Sequence, residues 1–568
     1  MASLKAVGRP VSDATLLSMV EVYESSSWYD LARQDVPSVP QKGGRASPLD
    51  SAGLLHKGKE LLKVLSRAYS RHICQSDSEK MWLRLTAKDP FIPPDKSASA
   101  TLADALDAMA VLANECCVLN YMFVSELLLM CKNKAVRVML LSMERLHALF
   151  MELLPNSKLR YIHQLDDAKM RYLHHHVSEW EKSGSASWDS LDPLARLLLH
   201  VVCFEDFFKG AYAAFIQVAT DQLEGGEAFV KRRMLHYVFE MLARKPEQEG
   251  LLMDILVSKL LVDDNKISSA ASAKLSALLE CQAGMKEIVV RRIGQALSGG
   301  VGKVRTALSC KSVKPSKKKR STSLREFKFE RLHVYVASDV LPTLKGMYRC
   351  ILFMSELHFT RNESKATSEA LKVYTSVLSF IFSRGESEKA THRLPLYEYE
   401  EFSRIIRCIS SGLERCIHIV SSREGSFNIF DYFQSDGRGL SRESVEESVN
   451  SLYRAAHKPL SFSTNIGLLS LISKLQPFES RFYNLLYERV LDLRMFDATS
   501  RGALLSLISN CVSGDTDTAR IAAFVKRLLQ VCIPMSGGQR RVYPYFSDLP
   551  PCVMCPRGAA EHVIRFKR

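Results

Sequence analysis

Three places in this 568-residue chain carry residue types that do chemistry in other settings. Gly299-Gly300-Val301-Gly302-Lys303-Val304 contains the Gly-Lys pair of a phosphate-binding loop, whose backbone N–H groups cradle phosphates while the lysine reaches the outermost one. Such a loop needs a glycine five residues before the Gly-Lys pair and a Ser or Thr after it to hold magnesium. Leu297 and Val304 stand at those places, so the segment reads as a linker after a helix ending near Leu297. His174-His175-His176, with Asp166 and Asp167 nearby, offers metal-ligating types. Neighbours on a helix point about 100° apart, so the three cannot all converge on one ion, and the string reads as a solvated face. Cys552-Val553-Met554-Cys555 has the spacing of half a zinc ribbon but lacks a second pair at matching distance. No Ser/His/Asp or Cys/His set sits in a strand–turn–helix setting. The expectation is a protein without catalysis, cofactor, bound metal or small-molecule substrate.

Charge is the stronger signal. Lys plus Arg number 77 against 62 Asp plus Glu, a formal net charge of +15, and the pI near 9.1 favours polyanionic partners. The densest run, Lys311, Lys314, Lys317, Lys318, Lys319 and Arg320, has no acidic residue within it, and Lys303 and Arg305 lead into it. So much like charge repels itself too strongly to pack. These eight residues are candidates for binding RNA phosphates with release of counterions, or for a nuclear-import signal. Phe327, Phe329 and Tyr335 follow and could stack on bases or pack against the fold.

The elements that must position these residues are helices. With 46% hydrophobic residues, 27 Gly and 20 Pro, the chain can bury a large core, and long stretches repeat at helical spacing with no sustained alternation of the strand type. Helices are expected from Leu102, over residues 118–131, and from Val136 to Leu153 with a stop at Pro155. Four more run over Phe207–Leu223, Phe229–Leu242, Leu251–Leu261 and Ile267–Leu279. Others cover about 340–358, 368–383, 398–420, 442–456 and 464–532. Short helices, short turns and no single closing core indicate an all-α, HEAT/armadillo-like α-solenoid. Linkers are expected at 33–53, 299–323 and 534–558, the middle one dividing the solenoid. Fourteen scattered Cys fit a reducing compartment. The absence of an apolar leader and of any long apolar run disfavours secretion and membrane contact.

Phe482-Tyr483-Asn484-Leu485-Leu486-Tyr487-Glu488-Arg489-Val490-Leu491-Asp492 and Ala523-Phe524-Val525-Lys526-Arg527-Leu528-Leu529-Gln530-Val531 closely resemble the CCAAT-binding-factor domain of nucleolar ribosome-assembly proteins. Further strings follow the family's order: Trp28-Tyr29-Asp30-Leu31, Thr101-Leu102-Ala103-Asp104, Leu153-Leu154-Pro155 with Lys158-Leu159-Arg160, Phe204-Glu205-Asp206, and Lys245-Pro246-Glu247-Gln248-Glu249. The resemblance spans roughly 28 to 533. It implies a non-enzymatic scaffold of the nucleus and nucleolus, paired with a second nucleolar-complex protein. It also implies attachment to pre-ribosomal RNA in early large (60S) subunit precursor particles. Residues 299–335 and the chain after Val531 depart from the family's pattern.

The expected layout is therefore a partly disordered N-terminal extension over 1–55, a solenoid over 56–298 and a basic insert over 299–335. A C-terminal helical region follows over 336–533, with the CCAAT-binding-factor domain at about 464–533, and then an irregular tail over 534–568. In the last helices Phe482, Leu486, Val490, Phe524, Leu528 and Leu529 are expected in the core. Glu488, Arg489, Lys526, Arg527 and Gln530 are candidates for partner binding. The competing readings are a DNA-binding transcription factor of CCAAT type, which lacks a recognisable major-groove module here, and a HEAT-repeat transport adaptor.

Overall fold

A computed structural model describes residues 10–37, 51–89, 101–309, 343–383, 400–424 and 450–532, apart from a few positions within these ranges. Among the described residues every regular element is a helix, and none is long and apolar enough to cross a membrane. The chain sorts into two compact units, Met1–Leu256 and Val257–Arg568.

The first unit contains α1 (Asp13–Ser25), α2 (Trp28–Arg33), α3 (Ser51–Ser76), α4 (Ser78–Thr86), α5 (Leu102–Glu115), α6 (Tyr121–Met130), α7 (Val136–Leu153), α8 (Asp167–Lys182), α9 (Pro193–Gly225) and α10 (Ala228–Arg244), and most of α11 (Glu249–Leu260). α9 is the axis. Asp192 caps its start by accepting from the Ala195 N–H at 3.0 Å, Pro193 fits the first helical position, and Gly225-Gly226 ends it after 33 residues. The sequence pattern begins this helix only at Phe207; the turns before it, Leu198 to Phe204, are buried on nearly every side, so they carry no amphipathic period to read. α7 matches its expected range, with Phe150 packed on Phe208, Tyr212 and Phe215 of α9. α3 comes so close to α9 that a Cβ on Gly58 would lie 1.8 Å from the Cys203 Sγ. Residues 13–33, expected in a partly disordered extension, contain two docked helices: Leu16 is fully buried and the Trp28 ring meets Phe204 and Phe208 edge-on. Cys116 and Cys117 form the cap and turn between α5 and α6.

Arg84 of α4, fully buried, ties the α3–α6 layer. Its guanidinium donates to Ser70 Oγ, Asp89 Oδ2 and Asn120 Oδ1, each at 2.7 Å, and lies beside the rings of Tyr69 and Phe123. Asn120 passes the connection on by donating to the Leu112 carbonyl. Lys88, at φ +55°, turns the chain so that Asp89 folds back onto Arg84. These hydrogen bonds and ring contacts offset part of the desolvation of the buried ion pair, while the Arg84 Nε–H is left without a partner.

The second unit holds α12 (Asn265–Cys281), α13 (Lys286–Ser309), α14 (343–356), α15 (Ser364–Ser383), α16 (Glu400–Glu424), α17 (Phe462–Leu475), α18 (Ser480–Arg489), α19 (Arg501–Ser513) and α20 (Thr518–Cys532). α13 corrects the linker reading: it does not end near Leu297 but continues through Gly299-Gly300 to Ser309. Packing is the reason. Gly300 is buried against Met347 and Thr343 of α14, and a Cβ on Gly294 would come within 2.6 Å of Val373 on α15. Gly294 permits the close approach to α15, and the helix carries the Gly299-Gly300 pair within it where the sequence suggests a break.

Two core histidines make the first unit sensitive to acid. His200, fully buried, shares a hydrogen bond with the Tyr23 hydroxyl through Nδ1, and burial brings its pKa down to about 3. His147 stacks on Tyr237, and burial, opposed by Glu240, brings it down to about 4. Their unfolded value is about 6.5, so as pH falls below that the unfolded chain binds the additional protons and the native state loses stability. Unfolding free energy from urea titrations should therefore drop by about 3 kcal/mol between pH 7 and pH 5. His200→Gln should flatten that fall by roughly half; an identical pH profile in the variant would show that His200 does not set it.

Candidate functional site

The family-like strings of the N-terminal half, far apart in sequence, meet at one locus. Between α7 and α8 the backbone from Leu154 to Leu165 is almost free of regular structure, yet Leu154, Pro155, Leu159, Ile162 and Leu165 are buried. Buried backbone polar groups need partners, and side chains provide them. The N–H groups of Leu159, Arg160 and Ile162 donate to Glu247, Glu205 and Asp206 at 2.8, 2.9 and 3.1 Å. The carbonyls of Leu154 and Leu159 accept from Lys245 and Lys209, both at 2.6 Å. Arg33, one turn beyond the Trp28 string, donates to the Lys158 carbonyl at 3.2 Å. Burial raises the Glu205 pKa, opposed by the Arg160 N–H and the neighbouring cations. Lys209 also sits 4.5 Å from the centroid of the Tyr161 ring, whose stack on His163 completes a braced turn. Sequence reasoning quoted these residues as separate strings; alternation of acids and lysines around fixed apolar positions was the signal that they belong together.

The remaining string, Thr101 to Asp104, is a helix cap: Thr101 and Asp104 bond each other's backbone N–H at the start of α5, and the Thr101 hydroxyl and N–H hold the Asp104 carboxyl below its ordinary value.

In the C-terminal helices, stacking of guanidinium groups on rings holds α20 to α18. Phe524 meets the rings of Tyr483 and Tyr487, Arg520 lies 4.1 Å from the Tyr483 centroid, and Arg527 lies 4.4 Å from that of Tyr487. Asp515 grips Arg520 through both carboxylate oxygens. Phe482, Leu486, Val490, Phe524 and Leu528 are buried as expected, whereas Leu529 is 52% exposed. The helix turns its Phe524–Leu528 edge inward and leaves Leu529 outside. Beside this pair a groove of about 330 Å³ is lined by polar Glu414, Ser470, Ser473 and Asn510 together with Phe482 and Tyr483.

Of the partner-binding candidates, Glu488, Lys526 and Gln530 are exposed. Arg489 and Arg527 are half-buried and occupied in packing, Arg489 by donating to the Ala456 carbonyl at 2.6 Å and Arg527 by its stack. Both keep part of their surface open while engaged in packing. Lys303 and Arg305 lie on the last turns of α13. Lys311, Lys314, Lys317, Lys318, Lys319 and Arg320, like Phe327, Phe329, Tyr335, Cys552 and Cys555, lie outside the described residues. The basic run and the helices of the CCAAT-type domain are therefore not brought to one described site. Burial pushes the thiols of Cys116, Cys131, Cys350 and Cys416 up to between about 11 and about 12, which suits packing groups rather than nucleophiles.

Residues 462–538 match the CBF/Mak21 family, from the first residue of α17 through α20 and just beyond. The chain is similar to the ribosome biogenesis protein NOC1 of Chaetomium thermophilum, 25% identical over 61% of this chain and 31% of that protein. It is likewise similar to mouse CCAAT/enhancer-binding protein zeta, 25% identical over 76% and 34%, and to nucleolar complex protein 1 of Drosophila melanogaster, 23% identical over 58% and 23%. The chain thus spans about a third of the length of the first two relatives.

Removing one carboxylate from the braced turn should release it. Glu247→Ala leaves the buried Leu159 N–H without its acceptor and should cost about 2 kcal/mol in unfolding free energy, with hydrogen exchange at the Leu159 amide at least tenfold faster. Glu247→Gln, which keeps an acceptor, should lose about half as much. Unchanged exchange in Glu247→Ala would mean the turn is held by its apolar contacts alone.

Proposed function

We propose that this chain is a non-enzymatic scaffold of ribosome biogenesis in the nucleus and nucleolus. In this reading its helices stack as a HEAT/armadillo-like solenoid, and it acts in early large-subunit assembly by holding pre-ribosomal RNA and a nucleolar-complex partner. The observation that carries the reading is the CBF/Mak21 match over 462–538, joined to similarity over most of the chain to a protein named for ribosome biogenesis. The net charge of +15 and the basic residues from Lys303 to Arg320 supply the electrostatics for a phosphate backbone. A DNA-binding role is the weaker alternative: the helices described here serve one another's packing, and none forms a compact major-groove module.

RNA binding should be largely electrostatic. If about six phosphates are neutralised, log K on single-stranded RNA should fall against log salt with a slope of roughly −4, and Ala replacement of Lys311, Lys314, Lys317, Lys318, Lys319 and Arg320 should flatten it. At salt high enough to suppress the electrostatic contribution, duplex DNA of equal length should compete poorly with the RNA. An unaltered slope in the variant would move the RNA surface elsewhere on the chain, and equal competition by duplex would favour the DNA-binding alternative.

Partner binding belongs on the outer face of α18 and α20, where Glu488, Lys526 and Gln530 are free of the packing that occupies Arg489 and Arg527. Lys526→Glu with Gln530→Ala should reduce recovery of nucleolar-complex protein in affinity capture from nuclear extract, read by mass spectrometry, and leave the melting temperature within about 2 °C. Full recovery with both changes would eliminate this face.

A further inference from the structure

The divergence of adjacent helical side chains argues against three histidines sharing one ion, and α8 shows how two of them meet. Relative to His175, His176 is turned by about 100° and Glu179 by about 40°, so Glu179, one turn on, falls between the two imidazoles. Ligand atoms of His175, His176 and Glu179 all lie within 4.8 Å of one another. His175 Nε2 is 3.2 Å from Glu179 Oε1, and the two rings stand 5.1 Å apart at 78°.

The histidine pair is also supported from behind. The Tyr172 ring lies 4.4 Å from that of His176, and its hydroxyl donates to Asp192 Oδ2 at 2.9 Å. That carboxylate, itself fixed as the cap of α9, interacts electrostatically with His176.

We propose that His175, His176 and Glu179 bind a divalent transition-metal ion, zinc being the best fit. Two imidazole nitrogens and one carboxylate form a donor set zinc favours, leaving a fourth tetrahedral position for water. Tetrahedral zinc with bonds of about 2.0–2.2 Å places its ligand atoms about 3.4 Å apart, so the side chains need only small rotations to close on the ion. The His175–Glu179 contact, which alone is an ordinary ion pair one turn apart, then becomes two legs of the site. All three side chains are at least partly open to solvent, which gives the ion a path in.

The test is calorimetric titration of the full chain, under reducing conditions, with zinc and with cobalt. One ion per chain should bind, and His175→Ala, His176→Ala and Glu179→Ala should each weaken it by about tenfold or more. His174→Ala, a change in the same string but outside the cluster, should match the parent. Zinc should raise the melting temperature of the parent and of His174→Ala but not of the other three. The cobalt complex should show visible ligand-field bands without the near-ultraviolet charge transfer of thiolate ligation. Circular dichroism of the variants before metal addition separates loss of the site from loss of the helix. Absence of saturable uptake, uptake unaffected by the double change His175→Ala/His176→Ala, or a thiolate band that carries all the bound cobalt would each overturn the proposal.

Discussion

A buried stretch of chain without regular hydrogen bonds is the constraint around which the first unit is built. Residues 154–165 cannot satisfy their own backbone, so neighbouring elements must do it from fixed positions: Glu205 and Asp206 from the middle of α9, Lys209 one turn later, and Lys245 and Glu247 from the exit of α10. Each of these groups is charged, and removing them from water is costly. The arrangement holds because carboxylates meet N–H groups and ammoniums meet carbonyls, charge-assisted bonds about twice as strong as neutral ones. The register between α7, α9 and α10 follows from these bonds, and so does the seat of α2, whose Arg33 reaches the same turn.

The second unit uses charge in the opposite sense. Arg520 and Arg527 point inward, flat against tyrosine rings, where a guanidinium is a packing group as much as an ion. Net charge therefore overstates how much basic surface the C-terminal helices display.

Much of this was legible in the sequence. α7 was delimited by its own periodicity and by Pro155, and the inward edge of α18 by Phe482, Leu486 and Val490, because a helix with one wet face advertises its period. Residues enclosed on all sides do not, which is why the first four turns of α9 were missed. The glycine pair in α13 reads as a break because glycine is a poor helix former, and packing of the flanking turns on α14 and α15 carries the helix through it. Leu529 lies outside the core for a related reason: the helix rotates to satisfy its aromatic neighbours, and spacing alone cannot give the angle. The meeting of His175 and His176 with Glu179 was hidden by counting only adjacent positions, although the residue one turn on was in plain view.

The braced turn also bears on how the polypeptide comes off the translating ribosome. Pro10 and Ser12 are held by Ser187 and Asp189, Trp28 by Phe204, and the turn itself by Glu247. The two N-terminal helices therefore cannot reach their final packing early, unlike the local set α5–α7. After Trp28 is made, the nascent chain needs roughly 220 residues of further elongation, some 10 to 45 s at about 5–20 residues per second, before Glu247 is available. Trp28 itself waits for Phe204 of α9, so the apolar face of α2 is a segment in need of chaperone cover while the chain is being synthesised.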